Sequence, residues 1–422
     1  MGIRKIITGL LVFAVLCAFT ACQKKDGAAS GQMKIKVAHW DVTTHQYVTP
    51  LIEAFKQANP DISVEVIDIP SADYTQRLTV MLNGGSDVDV FWIKDGDTTK
   101  SIANRGQLAD LSGFINKSNI DLSDFNGTAD RFVINNKIVA LPASASYYVL
   151  YYNKDIFDDM RIPYPSNDMT WVEWENLAGR LTSGSGNSKI YGGLLHTWQA
   201  CVQNWGVQDG RHTIMETDYS FFRPYYEMAL RMQRAGYIQD YGSLRAGGVH
   251  YSGLFLRGSV ATLPMGTWFF TNVIERIKNN ESNIRWGIST LPHPPSAAKG
   301  WTVGSVTPIA MNQASQNKDL AWRFINFITG IEGARIHASF GQFPGRTNDE
   351  TLNVIASLPG MPEGAAQALA VRNIAPDRPM ELKVGEINQM LGEEHSLIML
   401  GEISIQRGLE NMARRSREIQ GR

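Results

Sequence analysis

Ten tryptophans are the residues best placed to do chemistry in this chain. Trp171, Trp174 and Trp322 recur on the apolar side of helically spaced segments, and Trp92 and Trp286 sit inside apolar runs, so these five read as core. Trp40, Trp198, Trp205, Trp268 and Trp301 fall at strand ends or in loops, where an indole is left open. An indole offers a large flat surface that is ordered at low entropic cost. Asp41, beside Trp40, and Asp95 and Asp97, just after VDVFWI, add carboxylate acceptors. Catalytic signatures are missing: there is no G-x-S-x-G, H-E-x-x-H or G-x-x-x-x-G-K-[ST], and the eight histidines are scattered without ligand spacing. A lone histidine such as His337 reads as structural. This inventory gives catalysis, a metal or nucleotide hydrolysis no support, and it calls for no cofactor.

The frame that must position these groups is large. At 422 residues, with 43% hydrophobic and 19% charged positions, the composition is globular, and about 150 residues per domain suggests two or three lobes. A net charge of −1 without a long basic block argues against a nucleic-acid partner. Arg4 and Lys5 precede an uncharged apolar run from Ile6 to Ala21, the layout of a secretory signal, and too short for a span of about 20 residues. Cys22 follows, then the polar tether QKKDGAASGQ; only Cys22 and Cys201 remain in an exported chain, so no disulfide framework is expected.

KIKVAHW alternates as a strand, Tyr47 to Phe55 has helical spacing, ISVEVIDI is a second strand, and Tyr74 to Leu82 is a second helix. VDVFWI then reads as a buried parallel strand. Such a βαβαβ order predicts a mostly parallel sheet whose ligands bind beyond the strands' carboxyl ends, where Trp40, Asp41, Asp95 and Asp97 stand. Asn135 and Asn136 mark a tight hairpin, YYVLYYN a strand, and Thr170 with Glu173 a capping box opening a helix. Further helices fit Tyr219 to Arg234 and the stretch near Leu254. Strands fit VATLPM, IRWGIST and VTPIAMN, and the chain beyond FPGR at 343 to 346 reads as largely helical, with Ser404 opening the last helix.

The order of KIKVAHW, FKQANPDISVEV, DVDVFWI, ALPASASYYVLYYNKDIF, TWVEWENLAGRLT, LFLRGSVATLPMGTW, WGISTLPHP and KDLAWRFINFITGIEGARIHAS resembles the bacterial extracellular solute-binding proteins that serve sugar ABC transporters. FTAC at 19 to 22 resembles a lipobox, with Phe19 where Leu is usual, and implies a lipid on Cys22. The resemblance implies a type II periplasmic-binding-protein-like α/β fold of two lobes closing on a ligand by hinge motion. Residues 1–21 would be the signal peptide and 22–33 the tether. Lobe 1 would comprise 34–145 plus 306–345, and lobe 2 146–305 plus 346–422, with crossings near Ser144 to Ser146, Gly304 to Val306 and Gly345 to Arg346. It also implies a monomer, a carbohydrate ligand, ABC permease subunits as partners docking on exposed helices, and an envelope location.

A sugar ring needs flat aromatic surface for its C–H faces and polar partners for its hydroxyls. By resemblance Trp268, in MGTW, stacks on sugar, against the alternative of packing. Asp41 either accepts from a hydroxyl or caps a helix; Asp95 or Asp97 can do the former. Ser146 stands where the family's maltodextrin binders carry a carboxylate, which points to a different sugar. Trp301, Gly304 and Ser305 lie at the second crossing, where small residues admit ligand to the backbone. Arg346 offers either a bidentate fork or a structural ion pair; Trp198 and Trp205 are weaker candidates. Two alternatives stay open. A glycoside hydrolase would need two carboxylates about 5 to 9.5 Å apart, and a surface lectin would hold glycan without transport.

Overall fold

A computed structural model describes residues 33–43, 45, 47–94 and 96–422. The segments read as signal peptide and tether, up to residue 32 and including Cys22, and also Asp95, lie outside the described residues. Ten strands run in chain order: β1 (Met33–Trp40), β2 (Ile62–Ile69), β3 (Val90–Trp92), β4 (Val133–Ile134), β5 (Lys137–Ile138), β6 (Leu141–Asn153), β7 (Thr262–Gly266), β8 (Trp286–Thr290), β9 (Trp301–Met311) and β10 (Asn373–Pro376).

β1 pairs in parallel with β2 along its whole length, from Met33 opposite Ile62 to Trp40 opposite Ile69, and with β3 on its other side. Alternation sends Ile35 and Val37 into one core with Trp92 and Phe324, and Ala38 into another with Phe91 and Tyr74. Helices pack on both faces, and because β1, β2 and β3 run parallel their carboxyl ends emerge at the same edge.

The sheet as a whole is mixed, which corrects the expectation of mostly parallel pairing. β9 and β6 are long strands that return antiparallel. β9 pairs with β3, with β6 and, in parallel, with β10. β6 pairs with β9 as far as Tyr147 opposite Gly304, then from Tyr148 onward with β7 and β8. Beside them the Ala145 N–H donates to the Phe343 carbonyl at 3.0 Å, and the Gly345 N–H to Ala143 at 3.1 Å. The chain therefore passes the same place three times. β6 beyond this point enters a third, larger core containing Tyr151, Trp174, Trp205, Phe269, Ile387 and Met412.

Local signals read from sequence fold as expected at several points. Asn135 and Asn136 take φ of 50° and 61° between β4 and β5, the left-handed pair a type I′ hairpin requires. Thr170 and Glu173 form the reciprocal capping box of helix Trp171–Leu181, and Ser404 caps Ile405–Gln420. Three readings change. The helix expected from Tyr219 begins at Arg223, because Pro224 lacks an N–H and belongs in a first turn. β9 begins at Trp301 and not at Val306. Trp205, expected in an exposed loop, is fully buried in helix Ala200–Val207, all of whose residues from Cys201 onward are buried. A helix buried on every side shows no apolar stripe. Among the described residues, no helix is long and apolar enough to cross a membrane.

Candidate functional site

The site is built where β6, β9 and β10 come together. Ser305 of β9 faces Ser146 of β6 across the ladder, and Gly304, opposite Tyr147, is required there: a Cβ would lie 2.1 Å from the Ser146 carbonyl oxygen. The Asp377 N–H donates to the Gly304 carbonyl at 3.2 Å, so the turn after β10 is pinned to the same point.

Two cavities open on either side of this junction and share Ser305, Asp377, Arg378 and Asn388. The larger, of about 490 Å³, extends towards Thr75, Lys94, Thr98 and Arg131. The smaller, of about 260 Å³, is walled by Tyr148, Trp198, Asn204 and Trp268.

Trp268 and Trp198 are 38% and 39% exposed, and so present bare indole surface. Trp268 folds back over β7; a Cβ on Gly266 would lie 1.9 Å from its ring, so only glycine admits this pose. Its Nε1–H donates to the Tyr251 hydroxyl at 3.2 Å, and its ring meets Tyr148 edge-on at 5.3 Å. The Trp198 ring lies 6.4 Å away at 50°, making an aromatic corner. His196 packs edge-on to Trp198 at 4.7 Å, and burial pulls its pKa down to about 4, so it supports the indole as a neutral ring.

Polar groups complete the walls. Asn204 is 4% exposed, and its Nδ2 has no hydrogen-bond partner. Asp377 likewise carries a buried Oδ1 without a partner, while the half-exposed Arg378 reaches its Oδ2 only at 3.7 Å. The buried Arg131 guanidinium donates to the Ile374 carbonyl; burial lowers its pKa to about 10 while the charge of Asp377 acts in the opposite sense, so it stays cationic. Lys94 donates to the Ser71 carbonyl at 2.9 Å and lies 5.4 Å over the Trp40 ring.

Residues 41–335 match the model of the bacterial extracellular solute-binding protein family, most of the described chain. The chain belongs to that family. A sugar transporter of Rhizobium etli, solved in an open conformation, is 38% identical, with a TM-score of 0.89 over 91% of this chain and 99% of that one. The sugar-binding protein MalE of Xanthomonas citri superposes with a TM-score of 0.75 at 21% identity, over 92% and 98% of the two chains. A maltooligosaccharide ABC transporter solute-binding lipoprotein of Streptococcus pneumoniae is 21% identical over 342 residues, 76% of this chain and 74% of that one. The fold is accordingly the type II periplasmic-binding-protein fold.

In this solute-binding protein the structure gathers only some of the residues singled out from sequence. Trp198, Trp268 and Ser305 line the cavities; Ser146, opposite Ser305 in the ladder, and Gly304, next to it in the chain, line neither. Trp40 lines neither cavity; its ring stacks on His39 at 4.4 Å beneath Lys94, which does line the larger one. Asp41, at φ 44°, lines neither cavity; its carboxylate accepts from the Ser71 N–H at 2.9 Å, at the start of a short 3-10 turn, while helix Val48–Ala58 begins without a side-chain cap. Trp301 packs over Gly210, and its carbonyl accepts from Gln208 at 2.9 Å. Arg346 takes the ion-pair alternative, with its Nε 2.7 Å from Asp124 Oδ2. Asp97 belongs to helix Gly96–Asn104.

Asn204, Asp377, Arg378, Asn388, Arg131 and Lys94 were not legible as site residues. For Asp377 and Arg378 a signal existed. NIAPDRPM places Pro376 and Pro379 around them, and two prolines so close break a helix and leave a short strand and turn. Asn204 carried no comparable signal, because its helix lacks an amphipathic pattern.

Proposed function

We propose that this solute-binding protein captures a carbohydrate, most simply an oligosaccharide, between two lobes and hands it unaltered to an ABC permease. The observation that carries this reading is the aromatic corner of Trp198 and Trp268 opening onto a cavity whose other walls are mostly hydrogen-bonding side chains. Indole faces suit the C–H faces of a sugar, and the amide, carboxylate and guanidinium groups suit its hydroxyls. The names of the three relatives described above, a sugar transporter, a sugar-binding protein and a maltooligosaccharide solute-binding lipoprotein, support the same ligand class. Two adjoining cavities leave room for more than one ring.

The lobes are 34–145 plus 306–345 and 146–305 plus 346–422. The division is supported by the separate cores and by the three passes of chain at β6, β9 and 343–345, which would serve as the hinge. Among the described residues lining the two cavities, Asp377 is the single carboxylate, whereas hydrolysis of a glycoside takes two. The protein is exported and held at the envelope as a monomer through lipid on Cys22, a reading that rests on the lipobox-like FTAC and on lipoprotein relatives.

Thermal-shift screening of the mature chain against neutral and acidic oligosaccharides tests the proposal, since a ligand bound only to the native state raises its melting temperature. The expected result is a shift with one sugar class, and that sugar recovered intact after incubation. No shift with any sugar, or recovery of cleaved product, overturns it.

A further inference from the structure

The structure leaves two buried polar atoms unpaired in the walls of the smaller cavity: the amide Nδ2 of Asn204 and the carboxylate Oδ1 of Asp377. Gln203 and Asn388, which also line this cavity, have partners within the protein. Gln203 donates to the Tyr226 hydroxyl at 2.8 Å and to the Leu391 carbonyl at 3.2 Å, and Asn388 Oδ1 accepts from Gln199 at 3.1 Å. A buried donor or acceptor without a partner costs stability, so a protein that keeps one of each in a single cavity keeps them for something else.

We infer that Asn204 and Asp377 are the specificity pair of the smaller cavity, and that it takes an uncharged sugar ring carrying free hydroxyls. The inference rests on the proposed carbohydrate ligand and adds which residues read it. An ionised carboxylate only accepts and a primary amide nitrogen only donates, so the pair calls for a ligand that does both within one ring. A hydroxyl does both. A carboxylate or sulfate placed there would satisfy Asn204 but would face the unpaired oxygen of Asp377 in a poorly solvated space. Of the nearby cations, Arg378 is half exposed and 3.7 Å from the other carboxylate oxygen, and Arg131, which interacts with Asp377, lines only the larger cavity. Trp198 and Trp268 supply the face on which such an uncharged ring lies.

The consequence is an opposition between stability and affinity. Asn204→Leu removes the unpaired amide, so the ligand-free protein melts at an equal or higher temperature while sugar affinity falls about five- to tenfold. Asp377→Asn keeps the shape but loses the charge; affinity for a neutral sugar falls about tenfold or more, and the preference for neutral over uronate-terminated sugars narrows. The probes are neutral gluco-, galacto- and manno-trisaccharides and their uronate-terminated counterparts, titrated calorimetrically, with melting temperatures taken without sugar. Asn204→Ala replaces the leucine variant if that fails to fold. Folded variants that bind within twofold of the parent overturn the inference, as does a parent protein that binds neutral and uronate termini equally. Binding of none of the probes to the parent protein overturns instead the carbohydrate reading beneath it.

Discussion

Replacing Trp268 by alanine should separate binding from folding. The indole is 38% exposed. For a side chain of up to about 250 Å², that leaves about 95 Å² of surface for a sugar face to cover. At ~25 cal/mol per Å² the coverage is worth up to ~2.4 kcal/mol, or about fiftyfold in Kd. The rest of the ring already packs on Gly266 and Tyr148, so truncation also costs folding stability of up to ~3 kcal/mol through lost packing. Trp268→Phe retains part of both. Calorimetric titration with the sugar giving the largest thermal shift should therefore rank affinity as Trp, then Phe, then Ala, with urea unfolding measured in parallel. An alanine variant that is folded yet binds within twofold of the parent would show that no sugar ring rests on this indole, and the argument from exposed aromatic surface would fail.

Gly266→Ala should weaken binding severalfold without touching any group on the ligand, because its new Cβ displaces the Trp268 ring; tryptophan fluorescence of the empty protein would report the displacement, and an unchanged spectrum with unchanged Kd counts against it. Arg346→Ala should lower stability by about 1 to 2 kcal/mol by stranding the partly buried Asp124, while leaving sugar affinity as it was; a binding defect in a stable variant would return Arg346 to the site. Burial lowers the pKa of His39 and His395 to about 3 and that of His337 to about 4. Below pH 6.5 the unfolded chain takes up protons that the native histidines refuse, so stability should fall as pH drops from 6.5 towards 4, by up to ~1.4 kcal/mol per pH unit for each group, and be fully present above 6.5. A melting temperature that stays flat between pH 7 and 5 would contradict their neutral burial.

The sequence determined what depends on neighbours along the chain. The parallel β1–β2–β3 unit follows from strand and helix periods that alternate over short connections. The hairpin at Asn135–Asn136 and the caps at Thr170 and Ser404 follow from residues whose side chains or backbone freedom act within a turn. Trp268 was legible because its position, directly after a strand in MGTW, is local too. What the tertiary structure alone decided is how distant segments meet. Asn204, Ser305 and Asp377 are far apart in sequence and share a cavity only because β6, β9 and β10 converge. Packing elsewhere in the fold set partners that composition left open. It tied Asp41 to Ser71 and Arg346 to Asp124, and it buried Trp205 in a helix with no exposed side. Whether a polar side chain is satisfied by the protein or left for a ligand depends on which groups surround it in space, and periodicity along one segment carries no information about that.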